Sequence, residues 1–570
     1  MLDGSKISST EISALERRFP PSFEGVDLNF CRNPQCATYG VFPDPFKRPK
    51  GTEPAPPDVL RGVVAGKKHE EFFKCPTCTK TSRIKNNRAI VEEYKRLKHL
   101  QEYDPTVPSC RTEGCFAHGM APETSPEFYR RFGKTAKGDP RFQCRLCFKT
   151  FSIGKPARRH LRSDKNRIIL QMLCNDVSLS KISKIADISY RDLYGKIDFF
   201  YDQIQSFVAQ REDFSKVDFR DVGSKFATDS QTLMLNWPTK RKRTPVAVQH
   251  LCTAHARSGF IMEAAIQFDP SMTMDEAEDI SFAANEEDLS VAFRRHARVW
   301  TKTEFQGHLT RLRKQKQVKT IQLYQLPHEG VLVRYDILQY AHALRVREML
   351  TGTDAPLLLV MDDDRGLQQA FQAAFFDEIS SHRADLAVVS FDKGMTNDMR
   401  NQVAAAAQVR LSRMSGMGLS DIRKLSNEDY AQLVDFVLAW QLMGWPLNLG
   451  VSFPFSRKSE PNKVVKVPTW RPGRSGKSAA RLVRRATLRS VDSYFHKFRC
   501  NVRFASRPAI STGNVGHTWD KQYLYKPEML AKIAQIYRFY HNWCDPGGDK
   551  KTPAMRIRLA RGRIYERDFM

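Results

Sequence analysis

The chain has 570 residues and a mass of 65.5 kDa, too long for one core, so several domains are expected. Lysine and arginine number 91 against 63 acids, a formal net charge of +28, and the cations fall in runs, so a phosphate backbone is the partner that best explains them. No apolar run reaches the ~18 residues of a membrane span and the stretch from Met1 to Ser5 lacks a signal-peptide core; this predicts no membrane partner and an intracellular, cytoplasmic protein in which the 12 cysteines are thiols or metal ligands.

Residues 1–165 contain an internal repeat. Cys31 and Cys36, followed by Tyr39-Gly40, are answered by Cys110 and Cys115, followed by His118-Gly119. Each pair is completed by a C-x2-C on a strand-like stretch, Cys75 with Cys78 and Cys144 with Cys147, and Lys80-Thr81 and Lys149-Thr150 come just after. Four thiolates in two close pairs give tetrahedral Zn2+ its ligands, so two structural zinc ribbons are predicted, one with a basic helix over 1–103 and one over 104–165. Reduced cysteines in a small core are the alternative, and His118 is an alternative ligand. Ribbons bury too little apolar area to fold without metal. Asn86 to Leu100 has helical spacing at Ile90, Tyr94 and Leu97, and Lys155 to Arg167 is basic; either stretch suits phosphates or a solvated face.

Residues 166–210 read as a helix-turn-helix. Ile168 to Leu173 forms a first helix, Leu179 to Ala186 a second, and Asp187 to Ser189 a turn whose serine caps a third helix from Tyr190 to Phe200. Ile182, Ile185, Ile188, Leu193 and Ile197 would face inward, leaving Tyr190, Arg191, Tyr194 and Lys196 to read DNA.

A catalytic domain is expected over 220–510. Lys225 to Trp237 is a strand with one acid inside, Asp229, and a buried carboxylate must hold a metal, pair with a cation or do chemistry. A basic tip, Lys240 to Arg243, leads to strands Val246 to Ala256 and Phe260 to Phe268, an antiparallel meander of the kind that begins a ribonuclease-H-like core. The polar stretch 271–335, acidic from Asp275 to Asp288 and basic from Arg311 to Lys319, has no sharp reading. Tyr335 to Leu350 reads as a core helix, and Pro356 to Met361 as a buried strand ending in Asp362, Asp363 and Asp364, where either Asp362 or Asp364 suits a metal. A helix from Leu367 to Ile379 and a strand from Ala384 to Phe391 complete five strands.

Phosphodiester chemistry on two Mg2+ ions needs a further carboxylate. Asp492 is the candidate, on a predicted helix from Ala479 to Phe498 whose buried stripe is Leu488, Val491, Phe495 and Phe498 and whose neighbouring stripe is Arg485, Arg489, Asp492, His496 and Arg499. A salt bridge from Asp492 to Arg489 or His496 is the plainer reading, and Glu428 is the rival acid. Arg457 to Arg489 holds eleven Lys or Arg and one acid, Glu460, a basic stretch suited to grip DNA, Arg485 and Arg489 included. The remaining cysteines, Cys174, Cys252, Cys500 and Cys544, are simplest as core residues.

Taken together, the zinc ribbons, the helix-turn-helix, Thr228-Asp229, Leu357 to Gly366, Val491 to Arg499, and a tail with Tyr537 to Asn542 and Thr552 to Met555 resemble a DDE-type transposase of a bacterial insertion sequence. The resemblance implies an α/β multidomain protein: an RNase H-like mixed-sheet core with a largely helical insertion over about 396–477, preceded by two zinc ribbons and a helix-turn-helix, and followed by a helical tail over 511–570. It implies that Asp229, Asp362 (or Asp364) and Asp492 bind Mg2+ or Mn2+, cut a strand at the element's end and help the freed 3' hydroxyl attack target DNA. It further implies double-stranded DNA as partner, self-association on DNA and a nucleoid-associated location. Asp492 departs from the usual glutamate. A DNA-binding regulator that does not cut, and a nuclease on the same fold, are the alternative readings.

Overall fold

The computed structural model describes residues 17–47, 60, 62–66, 71–102, 108–112, 115–122, 125–136, 138, 140–153, 162–236, 246–314, 325–505 and 523–569. Among the readings above, the Met1 to Ser5 stretch, the Lys240 to Arg243 tip, residues 155–161 and 315–319 of two basic runs, and residues 511–522 of the tail lie outside the described residues.

The N-terminal third carries two small antiparallel sheets. Strands β1 (Val63–Ala65), β2 (Phe72–Lys74) and β3 (Thr81–Arg83) form the first; β4 (Tyr129–Lys134), β5 (Pro140–Cys144) and β6 (Thr150–Ser152) form the second. Helix α1 (Asn87–Glu102) follows the first sheet. Its Ala89, Ile90 and Leu97 are buried in the main core, so the first sheet and α1 dock on the following domain. Tyr39 Oη donates to the Gln372 carbonyl at 2.5 Å, Gln35 Nε2 donates to the Trp470 carbonyl at 2.6 Å, and Lys85 Nζ lies 2.5 Å from Asp336. Gly40 lets the chain pass the Phe376 ring, where a Cβ would lie 1.8 Å from a ring carbon. Part of the basic face around α1 is therefore used against the core, through Lys85 and through Lys98 paired with Glu348.

Helices α2 (Asn166–Leu173), α3 (Leu179–Ala186) and α4 (Tyr190–Arg211) come next. Helix α4 outruns the expected Phe200 because its second half packs on the tail: the Phe207 ring lies 5.2 Å from Phe539 and 5.0 Å from Trp543.

A seven-stranded mixed sheet forms the centre. Its strands are β7 (Lys225–Leu235), β8 (Val246–His255), β9 (Ile261–Ile266), β10 (Leu357–Asp362), β11 (Ala384–Ser390), β12 (Val451–Ser452) and β13 (Val464–Lys466). The order is β12-β13-β11-β10-β7-β8-β9. Strands β7, β8 and β9 are an antiparallel meander, turned at Gly259 with φ +74°, while β10 runs parallel to both β7 and β11. The apolar run of β10, buried along Leu357 to Met361, is what a parallel strand covered on both faces requires. The insertion after β11 contains helices and also the β12–β13 hairpin, antiparallel on β11. It is thus less purely helical than expected, because these two- and three-residue strands are fixed by an existing sheet edge and not by their own pattern.

Helix α5 (Tyr335–Met349) covers one face of the meander: His342 Nε2 lies 2.7 Å from Thr253 Oγ1, which lies 2.8 Å from Thr228 Oγ1. The insertion supplies α6 (Asn397–Ser415) and α7 (Asn427–Gln441). The single helix expected from Ala479 to Phe498 is two, α8 (Gly476–Arg485) and α9 (Arg489–Asn501). Arg484 holds α8 to α7 through a two-pronged pair with Asp435 at 2.6 and 2.8 Å. Likewise the helix expected from Leu367 to Ile379 is divided into Arg365–Ala374 and Phe376–Ser380. Helix α9 covers the other face of β7 and β8, with the His250 ring 5.2 Å from Phe498 and Arg499 Nη1 2.7 Å from Gln231 Oε1. The tail helix α10 (Pro527–Phe539) and the π-helical segment Tyr540–Cys544 that continues it close the β9 edge, where Asn542 both accepts from and donates to the Ile261 backbone at 2.9 Å.

Candidate functional site

The eight repeat cysteines form two four-sulfur groups, Cys31, Cys36, Cys75, Cys78 and Cys110, Cys115, Cys144, Cys147, each with its Sγ atoms within 4.8 Å of one another. A zinc–sulfur length of about 2.3 Å makes the edge of a tetrahedron about 3.8 Å. The measured edges are 3.7 Å for Cys31–Cys78, 3.8 Å for Cys36–Cys75, 3.3 Å for Cys110–Cys147 and 3.7 Å for Cys115–Cys144. Each group therefore suits a zinc ion. The two knuckles are built alike: Thr79 and Phe148 have φ of 58° and 59° and donate to the Cys75 and Cys144 carbonyls at 3.0 Å. The Cys31–Tyr39 bridge is repeated as Cys110–His118. His118 stands outside the four-sulfur group, which is complete without it, and its Nδ1 lies 2.7 Å from the Cys110 carbonyl oxygen.

The acids singled out in the core fall into two groups. β7 and β10 are paired up to Thr228 and Met361, so the next residues, Asp229 and Asp362, sit side by side at the end of the ladder. Asp229 shares its face of β7 with Gln231, which α9 covers through Arg499, and Asp492 is in the first turn of α9. Asp229 is 7% exposed; burial first, then the charges of Asp362 and Asp492, push its carboxyl up to about 7. Asp492 is pushed up to about 6 by burial and then by Glu460, with Asp362 adding to it and Lys393 and Arg499 opposing. Neither Arg489 nor His496 pairs with Asp492 among the described residues, so the plain helix salt bridge is not formed.

A cation sits among these acids. Lys393, just past β11, places Nζ 2.9 Å from Asp362 Oδ2. Against burial, that bond and the fields of Asp229, Asp362 and Asp492 raise its pKa. The four-sulfur groups are the only ones among the described residues whose three or more ligand atoms all lie within 4.8 Å, so the three carboxylates are not all that close to one another.

Asp364 is engaged elsewhere. It caps the Arg365–Ala374 helix, accepting from Gly366 N at 2.7 Å and Leu367 N at 3.3 Å, and its other oxygen accepts from Gln339 at 2.8 Å. Glu428 is exposed in the first turn of α7.

Two residues near the acids have roles that sequence reasoning missed. Lys393 had no signal beyond its place after a predicted strand. Glu460 was visible only as the lone acid in a basic run. Buried at 5% exposure, it accepts from Thr487 Oγ1 at 2.5 Å and Leu488 N at 2.8 Å, while Lys463, 3.4 Å away, donates to the Ala486 carbonyl at 2.7 Å. That ion pair satisfies the backbone groups freed between α8 and α9, which is why the helix breaks there.

Between α3 and α4, Asp187 turns the chain in the left-handed region at φ +51° and Ser189 caps α4 through Asp192 N, as expected. Tyr190 and Tyr194 are 52% and 36% exposed, and Arg191 is exposed beside them. Two expectations are corrected. Lys196 is buried, donating to the Arg162 carbonyl at 2.8 Å and to Asn166 Oδ1 at 2.7 Å, so it ties α4 to α2 and leaves the outer face. Ile185 is 62% exposed, because the buried stripe of α3 runs through Ile182 and Ala186 and leaves Ile185 to one side. Of the scattered cysteines, Cys174, Cys252 and Cys544 are buried, but Cys500 is exposed on α9. Arg489 is exposed and Arg485 half-buried.

No protein-family model matches this chain, and no curated protein matches it in sequence. The helices, sheet and sulfur groups establish a mixed α/β chain with two cysteine clusters suited to metal. No helix of the described residues is long and apolar enough to cross a membrane.

Proposed function

We propose that this chain is a DDE-type DNA transposase on an RNase H-like core, with Asp229, Asp362 and Asp492 as its catalytic acids. One observation carries the reading: Asp362 pairs with the Lys393 ammonium, and Asp229 on the adjacent parallel strand and Asp492 on the helix across the sheet lie near enough for their charges to act on it as well. The order β9-β8-β7-β10-β11, a meander followed by two parallel strands, is the order expected of an RNase H-like core and supports the same reading.

Asp229, Asp362 and Asp492 are the residues that would hold Mg2+ or Mn2+, since hard cations take oxygen ligands and their charges already act on the Lys393 ammonium. Such ions supply the charge that activates an attacking oxygen and stabilises a leaving one in phosphodiester exchange. Asp364 belongs to the support of the site: by capping the helix after β10 it fixes the turn that carries Asp362. The exposed tyrosines and Arg191 of α4 suit a groove of double-stranded DNA, with the two zinc ribbons as further reading modules at element ends. Pairing two ends calls for self-association on DNA.

The test is purified protein with duplexes carrying the flanking ends of its own locus, with and without Mg2+ or Mn2+. End-specific nicking followed by joining to a target is expected. Tight end binding without metal-dependent cleavage would make it a regulator, and cleavage without joining a nuclease.

A further inference from the structure

A second constellation lies on another face of α9. Ser490, Ser493, Tyr494 and Lys497 of that helix border a cavity of about 630 Å³, closed by the start of β7, the turn at 256–259, the loop around 457–463 and the tail at His541; Asp492 takes no part in its lining. Its size is that of small-molecule sites, which run to ~300–1,000 Å³.

The cavity gathers positive charge without counter-ions. Lys225, Arg257, Arg457, Arg485 and Arg489 line it, and none forms an ion pair among the described residues. The acids that line it, Glu460 and Asp545, are already matched by Lys463 and Lys497. Burial, followed by Arg485 and Lys463, pushes the Lys225 ammonium down to about 8; burial and the neighbouring Arg484 and Arg481 likewise lower Arg485. Charges so placed are relieved by an anion.

The inner wall offers hydrogen bonds as well as charge. Ser490 Oγ, Tyr494 Oη and His541 Nδ1 are buried and have no hydrogen-bond partner. Tyr494 is 1% and His541 6% exposed, with their rings 5.1 Å apart. His541 Nε2 lies 3.0 Å from the Gly259 carbonyl oxygen, so Nε2 carries the proton and Nδ1 is a bare acceptor. Two hydroxyls and one acceptor at the base of a cationic bowl match a phosphate group next to a sugar or base that has an O–H or N–H to donate. Unpaired buried polar groups are costly in a finished core, but ordinary in a ligand site.

We propose that this cavity binds a nucleotide through its phosphate group, with Arg485, Lys225 and Arg489 on the phosphate oxygens and Tyr494 and His541 on the attached nucleoside. The proposal stands on the cavity alone and holds whether or not the carboxylates catalyse. The nucleotide comes either from a DNA strand end or from a free mononucleotide.

The test uses the zinc-loaded full chain without Mg2+, so catalysis plays no part. Binding is measured for a 5'-phosphorylated single-stranded trinucleotide, the same trinucleotide without the phosphate, and dAMP. The phosphorylated probe should bind about tenfold or more tighter than its dephosphorylated form, the loss expected for charge-assisted hydrogen bonds. Arg489→Gln, an exposed change, and Tyr494→Phe, which keeps the ring packing, should each weaken the phosphorylated probe while thermal melting stays at the wild-type value. If dAMP binds as tightly as the trinucleotide, the free nucleotide is the source; if only the trinucleotide binds, the strand end is. Equal binding of the phosphorylated and dephosphorylated trinucleotides, or unchanged affinity in both variants, overturns the proposal.

Discussion

Serine in place of Cys144 should unfold the second ribbon and leave the rest of the molecule standing. The small core there has Ala117, Tyr129 and Phe151 as its buried residues other than cysteine. Burying Tyr129 and Phe151 stabilises by about 3–6 kcal/mol, against the about 10–16 kcal/mol that a structural zinc contributes in small domains. Metal should therefore decide whether the segment that carries Cys110, Cys115, Cys144 and Cys147 is ordered. The first ribbon differs, because Gln35, Tyr39 and Lys85 bind it to the central domain. Cys144→Ser should lower the zinc content from two ions per chain to one, expose the amides of 108–153 to rapid hydrogen exchange, and leave the main melting transition in place; Cys75→Ser should also lower that transition. Zinc content by mass spectrometry and exchange by peptide mapping read both. Retention of two zinc ions, or full protection of 108–153 after zinc loss, would refute the reasoning.

Lys196→Met should cost about 2–4 kcal/mol, because the Arg162 carbonyl and Asn166 Oδ1 lose their buried donor, whereas Arg191→Ala should leave urea unfolding unchanged and reduce the salt slope of DNA binding by about one. Glu460→Ala should destabilise by about 3–5 kcal/mol in urea, since it strands the buried Lys463 ammonium and the Leu488 amide; unchanged unfolding would show that the break between α8 and α9 does not need it. Burial, and then His250, pulls His342 down to about 3, below the ~6.5 of an unfolded histidine. The stability it lends is complete above pH 6.5 and is lost as pH falls toward 3, at up to about 1.4 kcal/mol per unit. The stability gap between wild type and His342→Gln should therefore shrink from pH 7 to pH 5, and an equal gap at both would contradict the assignment.

What the sequence revealed depended on how local the cause was. Cysteine spacing fixes the sulfur groups almost alone, and the runs over β7 to β11 carry their own hydrophobic pattern, so their bounds came out within a residue or two. The positions of the three acids could be placed as well: Asp229 inside a buried strand, Asp362 at a strand end and Asp492 beside a buried helical stripe. The break between α8 and α9 was not, because Glu460 and Lys463 reach it from more than twenty residues upstream. Lys196 looked like a surface cation because helical spacing does not show that Asn166 and Arg162 wait beneath it. Asp362 and Asp364 looked equivalent until the cap at Gly366 and the Lys393 ammonium separated them. The cavity behind α9 had no signature, since the turn at 256–259 and His541 in the tail, which help to close it, meet only in the fold.

The most direct test of the catalytic assignment is metal-dependent nicking of element-end duplexes by Asp229→Asn, Asp362→Asn, Asp492→Asn and Asp364→Asn, each first checked for zinc content, melting temperature and end binding. The first three should lose nicking while still binding DNA, and Asp364→Asn, still able to cap its helix through its amide oxygen, should retain most of it. Full activity in Asp229→Asn or Asp492→Asn, or loss in Asp364→Asn alone, would contradict that assignment.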